Sequence, residues 1–325
     1  MPAMNRLNLS RTILSLLLEA FPGSVSGEKI GATGGVSRVA VWKEVRKLQD
    51  LGFPIVASRL GYRLASIPDR FDPDFLEPYL ERDVPGIRVV YREEVDSTST
   101  LLRALAEEGA PEGTLCIAER QTRGRGRRGR SWFSLPGKSL TFSFLLRPLL
   151  SPSFCASCTL LAGIALAEAL EGLGFSPVLK WPNDVLLGGK KVAGILLETA
   201  TDLDEVSWMV LGVGVNVNLE RRDLTPLPFQ ATSLLFEGGV PVLRVEVLRR
   251  FLACFLAAYR RWKEEGDFSP WVADYNRRLA FLGRSVTIVG GKSPVSGTAL
   301  GVDGSGALRV MEGEKERRIT WGEIA

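Results

Sequence analysis

Gly124–Arg130 reads GRGRRGR and runs into Ser131-Trp132-Phe133, and this stretch decides between two kinds of fold. It matches the GxGxxG pattern of dinucleotide-binding folds, in which a helix opens at the glycines and an acid stands about 20 residues further on. No helix opens here, because a Pro136-Gly137 turn and then a β-prone segment follow the loop. The acid is also missing, since Leu149 stands near its expected place. The sequence therefore excludes a Rossmann turn and favours an anion-binding loop.

The loop has an unusual balance of charge and backbone freedom. Its four arginines repel one another, and its glycines make the backbone costly to order, so we expect it to be mobile when alone. Guanidinium groups and exposed N–H groups can together bind a phosphate or a carboxylate, each charged hydrogen bond contributing roughly 1.5–3 kcal/mol. We expect closure over a ligand with more than one negative charge, the alternative being a solvated basic loop.

The regions around the loop indicate an α+β fold. From Arg88 to Leu282, β-prone runs outnumber helical ones and adjoin through short turns, which predicts a mixed, largely antiparallel sheet flanked by helices. After Arg284, four or five short β-prone runs alternate with Gly-Gly, Asp-Gly and Glu-Gly turns. This alternation predicts a small SH3-like β-barrel.

The N-terminal region has the element order of a winged helix-turn-helix. Ser37 fits the N-cap of a third helix, in which Val41, Val45 and Leu48 recur at helical spacing. Up to Ser66 the chain has nine Lys and Arg against four Asp and Glu, a local charge of +5 within a total of +4. We predict DNA binding, the alternative being a merely solvated helix face. The predicted DNA-binding residues are Ser37, Arg38, Lys43, Arg46 and Lys47.

A proline-rich segment separates this region from the rest of the chain. The predicted domains are a winged helix-turn-helix at 1–66, a linker with a short central helix at 67–87, a central α+β domain at 88–282 and a barrel at 283–325.

Composition excludes several kinds of chemistry. The chain contains no histidine, which removes Ser-His-Asp and Cys-His catalysis and imidazole metal ligands. Cys155 and Cys158 form a CxxC, but an apolar helical stretch surrounds them, so buried positions are favoured over zinc or redox chemistry. No apolar run is long enough to cross a bilayer, and Met1–Ala20 lacks a signal-peptide pattern. We expect a cytoplasmic protein without membrane association.

A second group of chemistry-bearing residues is Lys180-Trp181-Pro182-Asn183-Asp184. The Asn-Asp turn presents a carboxylate at a strand end, although a single Asp in a turn is more often structural. Lys191 follows a glycine hairpin seven residues later, so Asp184 and Lys191 are expected to face each other from adjacent strands. A carboxylate for Mg²⁺ and a lysine for an α-phosphate are what nucleotidyl transfer requires.

The ordered set of motifs resembles the biotin–protein ligases, in particular the bifunctional bacterial form that is also the biotin operon repressor. The resemblance covers nearly the whole chain. The motifs that carry it are DST at Asp96–Thr98, Gln121 with GRGRRGR and Trp132, KWPND at Lys180–Asp184, KKVAGIL at Lys190–Leu196 and GVGVNVN at Gly212–Asn218. One departure is Ser99, where relatives often have Asn.

The resemblance implies a role for each matching residue. The implied catalytic residues are Arg127, Lys191 and Asp184, the last also near the metal. Biotin contacts are implied for Ser97, Thr98, Ser99, Gln121, Arg125, Gly126, Arg127, Lys191, Gly194 and Leu196. ATP contacts are implied for Arg125, Trp132, Lys180, Asn183 and Asn216.

The implied activity is an ATP-dependent, AMP-forming biotin–[biotin carboxyl carrier protein] ligase. Biotin is adenylated to biotinyl-5'-AMP and transferred to a carrier lysine, with ATP and Mg²⁺ as the substrate complex and no tightly bound cofactor. Biotinyl-AMP is the implied corepressor on operator DNA, and the implied assembly is a homodimer through an edge strand of the central sheet. Two alternatives stay open: a non-catalytic ligand-sensing repressor and a lipoate-type protein ligase.

Overall fold

The computed structural model describes residues 6–148, 150–202, 205–225, 230–291 and 293–325. The chain divides into two compact units, Met1–Tyr91 and Arg92–Ala325. No helix in the described ranges combines the length and the apolar character needed to span a membrane.

The N-terminal unit is the predicted winged helix-turn-helix. Its elements are α1 (Arg6–Ala20), α2 (Gly27–Gly34), α3 (Arg38–Asp50), β1 (Ile55–Ser58), β2 (Gly61–Leu64) and α4 (Pro73–Glu81). Ser37 caps α3 as expected, since its side chain accepts from Ala40 N at 3.2 Å. Val41, Val45 and Leu48 are buried. The strands β1 and β2 form the antiparallel wing.

Helix α4 lies in the segment predicted to be a linker with a central helix. Its residues Phe75, Leu76 and Leu80 are fully buried, and the helix packs against α1. Burial of this apolar face explains why the segment joins the N-terminal unit. The boundaries 1–66, 67–87, 88–282 and 283–325 stay a prediction.

The larger unit is organised around a seven-stranded sheet in the order β3-β4-β5-β9-β8-β7-β6. The strands are β3 (Arg88–Val95), β4 (Thr114–Gln121), β5 (Ser139–Leu146), β6 (Val178–Lys180), β7 (Asp184–Leu187), β8 (Lys190–Asp202) and β9 (Glu205–Asn216). All five pairs from β4 to β6 are antiparallel. The predicted α+β class with a largely antiparallel central sheet is confirmed.

Helices lie between and after the strands of this sheet along the chain. They are α5 (Thr98–Glu107), α6 (Pro152–Cys155), α7 (Cys158–Glu171), α8 (Arg221–Leu224), α9 (Leu234–Gly238), α10 (Arg244–Glu265) and α11 (Ser269–Arg278). Helix α7 is almost wholly buried and packs against α10. Cys155 and Cys158 are buried free thiols, as predicted, and burial raises the pKa of Cys155 to about 11. Among the described residues, no group of three or more His, Cys, Asp or Glu side chains is arranged so that it could hold a metal ion.

The C-terminal segment of this unit forms the expected small β domain. Its strands β10 (Ser285–Val289), β11 (Val295–Val302), β12 (Leu308–Glu312), β13 (Lys315–Ile319) and β14 (Glu323–Ile324) pair in the order β13-β12-β11-β10-β14. All four pairs are antiparallel. Buried residues such as Val286, Leu308 and Val310 form its core.

Candidate active site

A cavity of about 270 Å³ opens on the central sheet. Its floor includes three glycines on adjacent strands, Gly194 on β8 and Gly212 and Gly214 on β9, with Gly194 paired to Gly214. A Cβ on Gly212 would lie 2.8 Å from Ser99 Oγ, and one on Gly214 would lie 2.6 Å from Trp132 Nε1. The glycines are therefore what allows other groups to approach the sheet closely.

The arginine loop forms one wall of this cavity and closes on itself. Gly126 N donates to Arg130 O at 2.7 Å, and Trp132 N donates to Gly124 O at 2.9 Å. Between them, Arg128 has a left-handed backbone with φ 58°. The loop thus returns the chain to the sheet so that the Trp132 ring lies against the glycine floor.

Carboxylates of the protein itself bind the loop's arginines. Arg125 Nη1 lies 3.1 Å from Glu198 Oε1, and Arg103 Nη1 lies 3.6 Å from the same oxygen. Arg130 pairs with Glu323. The expectation that an anion orders this loop therefore has a counterpart in the protein, which supplies two carboxylates to it.

The C-terminal β domain contacts two further arginines. Arg127 Nη1 donates to Gly322 O at 3.2 Å and to Asn183 Oδ1 at 3.2 Å. Arg128 Cζ lies 5.1 Å from the centroid of the Trp321 ring, a cation–π geometry. Burial lowers the pKa of the Arg127 guanidinium, and the carboxylate of Glu323 acts in the opposite direction.

A chain of hydroxyl and amide groups forms another part of the cavity wall. Gln121 Oε1 accepts from Thr98 N at 2.8 Å and from Thr98 Oγ1 at 3.1 Å. Ser143 Oγ lies 2.8 Å from Thr98 Oγ1 and 2.9 Å from Ser99 Oγ. Ser97, Thr98 and Ser99 are all buried. The network fixes the orientation of these polar groups in the wall, and a pocket uses a few such groups to orient its ligand.

Asp184 and Lys191 meet across the β7–β8 hairpin, as predicted. Asp184 Oδ1 lies 2.7 Å from Lys191 Nζ, and a register shift in the β7–β8 pairing precedes the Leu186–Lys191 pair. Lys191 Nζ also lies 5.7 Å from the centroid of the Trp132 ring. Among the described residues that line the cavity, Asp184 is the only carboxylate.

Most residues implied by the sequence resemblance lie together in this cavity. The lining residues among them are Ser97, Thr98, Ser99, Gln121, Arg125, Gly126, Arg127, Trp132, Lys180, Asn183, Asp184, Lys191, Gly194 and Leu196. Asn216 is not among the lining residues of the cavity. It is buried, and its Nδ2 donates to Thr232 O at 3.0 Å. Its role in ATP binding stays a prediction.

Sequence reasoning missed several residues of the site. Ser143 and Glu198 lie outside the set of predicted residues, although each contacts a member of that set. A signal exists for Ser143, since Ser139, Thr141 and Ser143 alternate with apolar residues along one β-strand. Other lining residues without an assigned role are Arg130, Ser131, Phe142, Leu186, Gly189, Gly212, Val213, Gly214, Gln230 and Phe281.

The predicted DNA-binding residues lie apart in the sequence, on α3 of the N-terminal unit. Ser37 is the N-cap, and Arg38, Lys43, Arg46 and Lys47 are exposed. Lys47 Nζ lies 3.0 Å from Glu44 Oε1.

Comparisons with known proteins agree along the chain. A family model for the biotin/lipoate A/B protein ligase family matches residues 91–216, an HTH domain matches 9–63, and a biotin protein ligase C terminal domain matches 281–325. The bifunctional ligase/repressor BirA of Bacillus subtilis is 34% identical over 322 residues, covering 98% of this chain and 99% of that protein. The Escherichia coli BirA is 32% identical over 302 residues, 92% of each. The Aquifex aeolicus biotin protein ligase in complex with biotin and ATP has a TM-score of 0.62 and 32% identity, covering 73% of this chain and 97% of that one.

Proposed function

The chain belongs to the biotin/lipoate A/B protein ligase family, and from this premise we propose that it is an ATP-dependent biotin–protein ligase that is also a DNA-binding repressor. The observation that carries the proposal is the convergence of the arginine loop, the Thr98–Gln121 network and the Asp184–Lys191 pair on one cavity. Full-length similarity to bifunctional ligase/repressors supports the second role.

Biotin would occupy the end of the cavity that combines hydroxyl groups with a glycine floor. Thr98 and Gln121 offer hydrogen bonds to the ureido group of biotin, and the glycine floor at Gly194 lets Lys191 and the Trp132 ring lie close to the sheet. The proposed biotin contacts are Ser97, Thr98, Ser99, Gln121, Arg125, Gly126, Arg127, Lys191, Gly194 and Leu196.

The first step needs cations more than it needs a base. The biotin carboxylate is ionised at neutral pH and attacks the α-phosphorus of ATP, forming the acyl–phosphate bond while the bond to pyrophosphate breaks. The barrier is largely repulsion between anions, which Arg125, Arg127 and Lys191 reduce by charge and positioning. This chemistry suits a chain without histidine.

Magnesium fits the site as part of the ATP complex. Mg²⁺ is typically bound by one or two carboxylates together with substrate phosphates, and Asp184 is the carboxylate available among the described lining residues. Asp184 would hold the ion, which supplies charge neutralisation on the phosphates. Lys180, Asn183, Trp132, Arg125 and Asn216 are the proposed ATP contacts.

The second step transfers biotin to a carrier protein. The neutral amine of an acceptor lysine attacks the carbonyl carbon of the mixed anhydride, an amide bond forms and AMP leaves. The amine's proton goes to a base, for which Asp184 is the candidate because it lies in the cavity.

The repressor role would use the basic face of α3. Ser37, Arg38, Lys43, Arg46 and Lys47 are proposed to contact operator DNA, with biotinyl-AMP as corepressor. We also propose a homodimer through an edge strand of the central sheet, favoured when the adenylate is bound. The cytoplasmic location expected from the sequence stays a prediction.

Transfer of radiolabelled biotin tests the enzyme role. Full-length protein is incubated with biotin, ATP, Mg²⁺ and a biotin carboxyl carrier domain, and labelled carrier is the expected product. Adenylate formation without transfer, or neither reaction, would favour the ligand-sensing repressor. Preferential use of lipoate in competition would favour the lipoate-type ligase.

Lys191→Ala tests the adenylation chemistry. We expect pyrophosphate release to slow by about 100-fold, the scale for removing one preorganised charge from a transition state. The matched control is Lys190→Ala, because Lys190 packs over the Phe236 ring outside the cavity lining. A normal rate in the Lys191 variant would reject its assigned role while leaving the ligase proposal to the transfer assay.

A further inference from the structure

Helix α3 has two opposite faces. Val41, Val45 and Leu48 point into the core of the N-terminal unit and are at most 2% exposed. The opposite stripe, which we call the reading stripe, consists of Val39, Trp42, Lys43 and Arg46 at positions i, i+3, i+4 and i+7. Two of its four members are apolar.

These apolar members are open to solvent. Val39 is 63% exposed and Trp42 is 53% exposed, whereas every large apolar residue on the inward face is buried. Arg46 Cζ lies 6.0 Å from the centroid of the Trp42 ring, so the ring also positions a cation. Val39 and Trp42 lie one helical turn apart, so they form a small apolar patch within a cationic helix face.

Charge identifies DNA as the partner that this stripe fits. Within α3, all of whose residues are described, the first turn contains no acid. The acid nearest the middle, Glu44, is partly buried and is bound by Ser10 Oγ at 2.5 Å and Lys47 Nζ at 3.0 Å. A cationic surface with isolated apolar groups complements the major groove, where phosphates flank thymine methyl groups.

We propose that Val39 and Trp42 are sequence-reading residues that contact the C5-methyl groups of thymine in the major groove, with Arg46 held beside the Trp42 ring. The proposal rests on the proposed DNA-binding function and extends it from phosphate contact to base recognition. Lysine and arginine contacts to phosphate supply affinity that is independent of sequence, whereas methyl contacts distinguish thymine from the other bases.

The DNA probe for this test is a duplex selected by the protein itself. Full-length protein with biotin, ATP and Mg²⁺ selects duplexes from a random library, and the enriched sequence is used for all further measurements. Each thymine of that sequence is then replaced in turn by deoxyuridine, which removes only the methyl group. We expect at least one replacement to weaken wild-type binding by about four-fold, the contribution of one buried methyl group.

Variants assign the lost contact to a residue. Val39→Ala and Trp42→Ala are each expected to weaken binding to the selected duplex and to abolish the deoxyuridine effect at one position. Binding to poly(dI-dC), which has no thymine, should stay unchanged for Val39→Ala. For Trp42→Ala it should fall less than binding to the selected duplex, because the Trp42 ring also positions Arg46. Val240→Ala is the matched control, because Val240 is 64% exposed but lies in the other unit. Biotin transfer and the far-ultraviolet circular dichroism spectrum, unchanged from wild type, establish that each variant is folded.

The outcomes separate the inference from the function on which it rests. Retention of the deoxyuridine effect in both variants, or equal loss on the selected duplex and on poly(dI-dC), would overturn base reading. An unchanged wild-type affinity at every deoxyuridine position would overturn it as well. If wild type enriches no sequence at all, the repressor proposal itself fails. Lys43→Ala provides the contrast, with weaker binding to both probes and a salt slope reduced by about one.

Discussion

Gly214 shows how a single residue determines the shape of the site. The Trp132 ring lies so close to its Cα that an added Cβ would stand 2.6 Å from Trp132 Nε1. That nitrogen is buried and has no hydrogen-bond partner among the described residues. Close packing rather than a polar contact therefore places the ring over the cavity floor.

Replacing Gly214 by alanine is expected to displace the Trp132 ring. Overpacking of this kind costs roughly 1–3 kcal/mol, so we expect weaker biotin binding by isothermal titration calorimetry together with a lower Tm. Gly163→Ala is the control, because the added Cβ would lie 3.6 Å from Leu179 Cδ2, an ordinary contact. Unaltered biotin affinity in the Gly214 variant would show that the ring does not shape the biotin site.

Individual residues of the site differ in how far the sequence reveals them. Asp184 and Lys191 flank a Gly-Gly hairpin, so local spacing alone predicts that they meet. Glu198 binds Arg125, 73 positions earlier in the chain. Such a pairing depends on which strands neighbour each other, and no local pattern encodes it.

At the scale of elements, the end of the C-terminal β domain acts on the arginine loop. Strand β14 and the two residues before it contact three arginines of the loop. Arg127 donates to Gly322 O, and Arg128 lies over the Trp321 ring. Arg130 forms an ion pair with Glu323. The loop therefore has an ordering partner within the protein itself. This contact links the small β domain to the wall of the cavity.

Glu323→Gln is expected to loosen the loop. The loss of charge removes the ion pairs with Arg130 and Arg128, so trypsin should cleave within 124–130 faster, and labelled biotinyl-AMP should dissociate faster. Glu316→Gln is the control, since Glu316 binds Arg309 at 2.7 Å on neighbouring strands of the same domain. Equal cleavage and equal dissociation in the two variants would argue against an ordering role for β14.

Elements also differ in how well the sequence specifies them. Helix α3 is predictable because its N-cap and its buried stripe are local features. The sheet order is not, because β5 pairs with β9, more than 60 positions later. Register of this kind is fixed by side-chain packing on both faces of the sheet, and only the assembled core determines it.

The molecule as a whole has no histidine, and this sets its response to pH. The two half-reactions differ in the protonation state that their attacking group needs. Adenylation uses a carboxylate that is already charged, together with arginine and lysine cations. Transfer needs the neutral form of an acceptor lysine, whose ordinary pKa is about 10.4. The absence of imidazole removes the usual titration between about pH 5 and pH 8.

We therefore expect the two half-reactions to separate as pH rises from about 7 to about 9. Pyrophosphate release in single-turnover experiments with biotin and Mg-ATP should stay nearly constant. Transfer from preformed biotinyl-AMP to the carrier domain should rise by close to ten-fold per pH unit, because the fraction of neutral amine rises in that proportion below its pKa. A bell-shaped profile for pyrophosphate release would reveal a titrating group in the first step and contradict a purely electrostatic adenylation. A flat profile for transfer would instead mean that the protein lowers the pKa of the acceptor amine, an effect that the like charge of Lys191 can produce and the carboxylate of Asp184 would oppose.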